Sequence, residues 1–560
     1  MAPLSSLLAL SSTILAASAN QQVRKLENAN YVFNAIHSSM RQWGSSLSPG
    51  HNGMSFFMAT VPKGQQLYHG TDSAERINGT EWLAFEPEHA LQFARSRRRP
   101  PPGRGGPSDR DGEAWHPSQW VEDEYPSWHP GPPKHELKVR HVPDHRPLTH
   151  TAAQIARADS KAHQEPWRDF EPTPKEDPSG YLHTYRAKHD LRLLYLDGQS
   201  AAKSDLGTLD SQDIVLLHES PPPKEHRPKH ARANVVGPPK GEKKRGPGGP
   251  MNEAYRAVKL CEMAQNQWQG KVDGFLRMEL GFEIILCSFE VDLEVERITR
   301  TQTHGGGGFG PGHGDDISSM NYYQAIASRY DGIGGDRVRI DYEKFVTLFA
   351  YPQAHYFNER GLPRAVNDSK AIAPVMDAIT NMIVNDNMES TTNWQAVADL
   401  VVSRYSDRIE RLTSGSITSL QDSKSLLEAA LRPYIDYSQR NATLETFRCA
   451  TQYLPELQRP QTTASHAILS VTSTLCSRFF LASEQDKLED AVSMIRELKD
   501  WLVWSTWKRC RGCQVDQVCF VPIWPMGGEE DMENPRCISN TSEVGRGYWG
   551  GHFGGPPPPF

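Results

Sequence analysis

The apolar periodicity of this chain is broken by two long stretches that carry none. Arg97-Arg98-Arg99-Pro100-Pro101-Pro102 opens a Pro-, His- and Arg-rich run lasting to about Gly180. Glu219 to Pro250 is a second stretch, basic and Pro/Gly-rich. Neither holds enough aliphatic surface to offset the entropy of ordering its backbone, so both read as disordered insertions. An α/β domain must then be assembled from three pieces, residues 20–96, 180–218 and 251–343. The 43 glycines, 41 prolines and hydrophobic content of 37% agree with a chain only part of which is packed.

Within the pieces the periods are clear. Gln21 to Trp43 reads as an amphipathic helix, with Val23, Leu26, Val32, Phe33, Ile36 and Met40 near one face, covering one side of a sheet. Ser55 to Val61, Gln66 to His69, Trp82 to Phe85, Tyr181 to Ala187 and Leu191 to Leu196 read as strands, and Pro87 opens a short helix. Ile214 to Leu217 fits either a strand or a short helix. Asn252 to Trp268 is a helix, Val272 to Met278 a strand, and Phe282 to Phe289 a strongly apolar strand of the type buried on both faces. Gln302 to Gly314 is a Gly-rich loop, and Val338 to Tyr342 fits a last strand. From Lys344 the period turns helical, and 344–509 is expected to form a separate helical domain. Ser483 with Asp486 suggests a capping box before a helix running to Arg509. A Cys-rich and Gly/Pro-rich tail, 510–560, closes the chain.

Leu7 to Ala17 is an apolar, small-residue run, and Ala17-Ser18-Ala19 fits a cleavage site, so 1–19 is expected to be a signal peptide. Eight cysteines fit an oxidising compartment. Cys261 on a helix and Cys287 on a neighbouring strand are expected to pair, as are Cys449 and Cys476, with Cys510, Cys513, Cys519 and Cys537 pairing among themselves. Those four have poor spacing for zinc, and no metal site is expected. Sequons at Asn78, Asn367, Asn441 and Asn540 suit a secreted glycoprotein. A net charge of −7 and a pI near 6.3 give no general argument for nucleic acid or for an anionic membrane.

The densest stretch is Leu67 to Arg95: LYHGT, a short polar segment, then EWLAFEPEHALQFAR. It resembles the ADP-ribosyltransferase superfamily, to which the poly-ADP-ribose polymerases belong. His69-Gly70-Thr71 matches that family's first element, Trp82-Leu83-Ala84 stands at the second with Trp in place of Tyr, and Phe93 at a later aromatic. Glu283-Ile284-Ile285-Leu286 supplies the strand that opens with a glutamate. The resemblance spans parts of 55–95 and 180–290. It implies an α+β fold: an ADP-ribosyltransferase-like mixed sheet with flanking helices and long insertions, followed by the disulfide-linked helical domain. It also implies NAD as substrate, with His69, Gly70, Thr71 and Trp82 binding it and Glu283 as the catalytic carboxylate. The chain as a whole also resembles large Cys-containing secreted fungal proteins.

Physical chemistry gives Glu283 a reading of its own. Strand alternation sets it on a face with Ile285, Cys287 and Phe289, where a carboxylate is paired, protonated or functional, unless the strand starts later and leaves it in water. Glu279 is a nearby alternative. Gly198-Gln199-Ser200-Ala201-Ala202 follows a strand as a nucleophile elbow does, but ends in Ala. Trp501, Trp504 and Trp507 fit packing better than a carbohydrate platform. The expected function is a secreted protein transferring ADP-ribose from NAD or hydrolysing NAD, its partner a dinucleotide. The alternative is a non-catalytic secreted or cell-wall-associated binding or structural protein that keeps the fold.

Overall fold

The computed structural model describes residues 26–41, 49–94, 180–218, 252–301, 316–328, 336–385, 392–454 and 462–549. The expected signal peptide, residues 1–19, both long insertions, the Gly-rich loop and the last residues of the tail lie outside these. All described residues belong to one compact unit.

The three pieces meet in one mixed sheet. Its strands are β1 (Ser55–Val61), β2 (Gln66–Thr71), β3 (Glu81–Ala84), β4 (Tyr181–Ala187), β5 (Leu191–Leu196), β6 (Gly274–Met278), β7 (Phe282–Leu286), β8 (Leu293–Arg300), β9 (Arg339–Ile340) and β10 (Val346–Thr347). The order is β10-β1-β5-β6-β7-β3-β2-β4-β8, with β9 also on β1. Every pairing is antiparallel except β5 with β6. The apolar runs explain the centre: β1, β6 and β7 are buried along their whole length, each having protein on both faces. β8 escapes the sequence reading because four of the eight residues of LEVERITR are charged. It is an edge strand, and charged edges resist pairing with other chains.

Helix α1 (Ala29–Ser38) buries the predicted stripe of Val32, Phe33 and Ile36. It does so between sheet and helices rather than over the sheet alone. Asn30 and Asn34 donate side-chain amides to the carbonyls of Trp501 (2.6 Å) and Leu502 (2.8 Å). The hydroxyl of Tyr195 on β5 accepts from the Met40 backbone N–H at 3.0 Å. The remaining main helices are α2 (Pro87–Leu91), α3 (Glu253–Asn266), α4 (Asp316–Tyr323), α5 (Ser369–Val384), α6 (Trp394–Thr413), α7 (Leu420–Leu431), α8 (Ala442–Thr451), α9 (Thr463–Ser483) and α10 (Leu488–Leu502). The expected boundary near residue 344 does not divide the described residues. Phe56, Leu194 and Ile284 of the sheet share one continuous core with Val401, Leu475 and Ile495 of the helices, because α1 offers apolar surface to both.

Two helix ends correct the sequence reading. Ser483 closes α9 instead of capping the next helix, and α10 begins at Leu488 with no side-chain cap. Val503 in a left-handed conformation ends it at Leu502, short of Arg509. All eight cysteines are paired: Cys261–Cys287, Cys449–Cys476, Cys510–Cys519 and Cys513–Cys537. Trp504 is buried and stacks on Trp507 at 5.4 Å, the expected packing role.

Candidate functional site: a buried ionic cluster beside the sheet

The residues suggested by the resemblance do not converge. Tyr68 on β2 is opposed to Ala84 on β3, and Ala84 to Glu283 on β7, so these three side chains share one face of the sheet. Trp82, two residues from Ala84, shares it; His69, one residue from Tyr68, takes the other. His69 lies against His183 and Phe289, and its Nδ1–H donates to the Trp82 carbonyl at 2.7 Å. Burial holds its imidazole down to about 4, so the ring is neutral. Gly70 has a packing reason: a Cβ there would sit 1.8 Å from the Ala90 carbonyl oxygen of α2. A helix, not a ligand, makes the close approach. The Thr71 hydroxyl accepts from the Ser73 backbone in a local turn, and Trp82 is half-buried against the core. Ser200, at the supposed elbow, donates its hydroxyl to the Leu196 carbonyl at 2.8 Å and is fully buried.

Glu283 does meet chemistry, with different neighbours. β6 and β7 form a hairpin in which Arg277 opposes Glu283. Arg277 is wholly buried, and donates from Nε (3.0 Å) and Nη2 (2.8 Å) to Glu283 Oε1. Its Nη2 also meets Glu253 at the start of α3, and its Nη1 reaches Gln212 Oε1 at 2.7 Å. Gln212 stands in a π-helical turn, Ser211–Leu216, which resolves the strand-or-helix ambiguity there. Such turns gather at functional sites. Asp213 beside it pairs with Arg256 at 2.7 Å. Burial works against charge on Glu253, but the charges of Arg277, Lys203 and Arg256 outweigh it and hold its carboxyl down to about 2.

Glu279, in the hairpin turn, sits differently. Its partner is Lys203, whose Nζ is 2.5 Å from Glu279 Oε2. Lys203 is placed by the loop after β5, tied to the end of β6 by Ala201 N–H donating to the Met278 carbonyl at 2.9 Å. Burial raises the Glu279 carboxyl to about 7, and the neighbouring Glu283 charge adds to this while Lys203 opposes it. His89 of α2 completes the group. Its Nδ1 shares a 3.1 Å hydrogen bond with the Tyr322 hydroxyl of α4, and its ring abuts Gly281 of the hairpin turn. Burial holds His89 down to about 4, within reach of the charges of Glu283 and Lys203.

Among the described residues, Glu283 bonds through Oε1 alone and Glu279 through Oε2 alone. His89 Nε2 is buried with no partner among the described residues. Three cations (Lys203, Arg256, Arg277) and three carboxylates (Glu253, Glu279, Glu283) removed from water are expensive to keep unless geometry or chemistry uses them. The hairpin itself was the legible signal: closing it around Leu280 sets an Arg opposite a Glu. Lys203, Glu253, Gln212 and His89 come from distant segments and left no local signature.

A family described as the YPL277C N-terminal domain matches residues 18–304. The chain belongs to that family. It is 29% identical over 273 residues to the uncharacterized proteins YOR389W and YPL277C, both of Saccharomyces cerevisiae. Each match takes in 48% of this chain, and 32% and 42% of those two proteins, so the chain spans well under two thirds of the length of the curated relatives it matches. No solved structure matches. Within the YPL277C N-terminal domain lie His89, Lys203, Glu253, Arg277, Glu279 and Glu283; Tyr322 lies beyond it. Among the described residues no helix is long and apolar enough to cross a membrane.

Proposed function

We propose that this chain is an exported enzyme that breaks a glycosyl bond at the Glu279–Glu283 hairpin, with NAD the first substrate to test. The observation that supports it is the contrast between two carboxyls four residues apart. Glu283 is ion-paired with a fully buried guanidinium, while Glu279 is pushed up to about 7 by burial. Glycosyl transfer needs both kinds: an acid that still holds its proton near neutrality, and a carboxylate for the positive charge that develops on the sugar. Glu279 gives its proton to the leaving group as the bond to the anomeric carbon breaks. The free oxygen of Glu283 faces the oxocarbenium-like centre. Water or another acceptor then forms the new bond and returns a proton to Glu279. A nicotinamide leaving group departs without needing that proton, so NAD and an alkyl glycoside would depend differently on Glu279.

His69 and Gly70 have no part in this scheme. Export rests on the signal-like N-terminus and on the four disulfides. The test is release of nicotinamide from NAD, and of free sugar from alkyl and aryl glycosides, by the parent and by E279Q and E283Q. E283Q is expected to lower turnover on every substrate by at least about a hundredfold. E279Q should hit alkyl glycosides hardest and NAD least. If the folded parent turns over none of them, the chain is instead the non-catalytic exported protein, and the cluster is structural.

A further inference from the structure

We infer that Trp524, in the disulfide-linked segment near the C-terminus, is a positioning residue that holds Lys203 against Glu279 and so completes this site from outside the YPL277C N-terminal domain. Three contacts carry the inference. The indole Nε1–H of Trp524 donates to the Lys203 carbonyl at 3.1 Å. The Lys203 ammonium lies over the indole, 5.0 Å from the ring centroid. The Trp524 backbone N–H donates to Gln199 Oε1 at 3.1 Å, while Gln199 Nε2 donates to the Pro522 carbonyl at 2.9 Å. The loop carrying Lys203 is thus gripped at both ends by residues 522–524. Ser204 extends the grip, donating its hydroxyl to the Trp549 carbonyl at 3.1 Å. The segment is itself fastened by Cys510–Cys519 and Cys513–Cys537. A lysine has a flexible four-carbon stem, and holding its ammonium at one carboxylate oxygen costs rotamer freedom. A ring beneath it and a bond to its own carbonyl restrict that freedom.

The consequence falls on the proton of Glu279. The groups facing it are Lys203 from the loop after β5, Arg277 on β6, Glu283 on β7, Glu253 on α3 and Tyr322 on α4, with His89 on α2 beside them. Of the cations, Arg277 is occupied by Glu283, Glu253 and Gln212, leaving Lys203 as the one bonded to Glu279. If Lys203 swings away, Glu279 keeps its burial and its carboxylate neighbours and loses the attraction that opposes them, so its pKa rises.

The inference rests on Glu279 as the acid of the proposed reaction, but its test needs no substrate. In the full disulfide-bonded chain with 13C-labelled glutamate carboxyls, the Glu279 signal is assigned by its loss in E279Q and followed against pH. W524L is expected to raise the midpoint by about one unit, the low end of what an adjacent opposite charge supplies. W524F, which keeps a ring but loses the Nε1 donor, should raise it less. K203M should raise it at least as far as W524L, and W524L added to K203M should change nothing more. An unmoved midpoint in W524L, or an equal further shift in the K203M background, would overturn the inference. Should W524L fail to fold, W524F against K203M decides it by the same comparison. Turnover of the parent is measured apart, so a chain that hydrolyses nothing still answers this question.

Discussion

Gly70 shows how one residue carries two readings until its neighbours are known. Beside His69 it suggests a backbone that a ligand approaches. In the fold the approaching group is the Ala90 carbonyl, and there is no room for a methyl. Gly70→Ala is therefore expected to destabilise the protein by about 3 kcal/mol, the upper end of overpacking losses, without changing any NAD affinity the protein has. Urea unfolding measures the first and titration calorimetry the second. A neutral substitution would mean that α2 does not sit on β2. Glu283 resolves in the other direction. Its position on an apolar face marked it as odd, and Arg277 across the hairpin supplies the partner that the oddity required.

At the scale of elements, the strongly patterned pieces form where their periods place them: α3, β4 and β5 hold to within two residues. β8 was missed because an edge strand needs no apolar face of its own to be held by β4. The helix expected to end at Arg509 stops at Leu502, since Val503 turns left-handed and α1 caps the Trp501 and Leu502 carbonyls through its asparagines. A tertiary contact thus ends the helix where propensity would carry it on. The link from α3 to the end of β7 gives a prediction. Cys261 and Cys287 close a loop of sequence separation 26 with Cα atoms 5.5 Å apart, an ordinary span. Replacing both by serine should lower unfolding free energy by about 2–4 kcal/mol, read from the urea midpoint of the oxidised chain. A loss below about 1 kcal/mol would indicate that the unfolded chain is already restrained there.

For the whole molecule, buried ionisable groups set the dependence on pH. Burial raises Glu81, Asp197 and Glu279 to about 7, so the native state keeps protons that the unfolded chain releases near pH 4. Their contribution is full below that pH and is lost as pH rises through 7. Burial holds His51, His69 and His89 down to about 4, so their neutral forms favour the fold increasingly as pH rises from 4 to about 6.5. The two sets offset one another over that range, and above it only the carboxyls still have stability to lose. Melting temperature should be nearly level from pH 4.5 to 6, and stability should fall by roughly 1–2 kcal/mol between pH 6 and 8. In E279Q the fall should be shallower. Scanning calorimetry across this range checks it, and a melting temperature that climbs from pH 6 to 8 would contradict the assignment of the buried carboxyls.

The sequence by itself determined the parts: where apolar periods begin and stop, which strands are buried on both faces, and which cysteines lie near enough to pair. These follow from local patterns that a side chain obeys whatever surrounds it. The tertiary structure decided what the parts share. It merged the expected helical domain with the sheet, because α1 carries apolar surface for both. It also put His69 and Glu283 on opposite faces, a matter of register that no motif records. Lys203, Gln212, Glu253 and Trp524 are separated by up to hundreds of residues, and only the folding of the chain gathers them around one hairpin. Electrostatic interaction depends on distance in space and on exclusion of water, and neither is written in the spacing of residues along a chain.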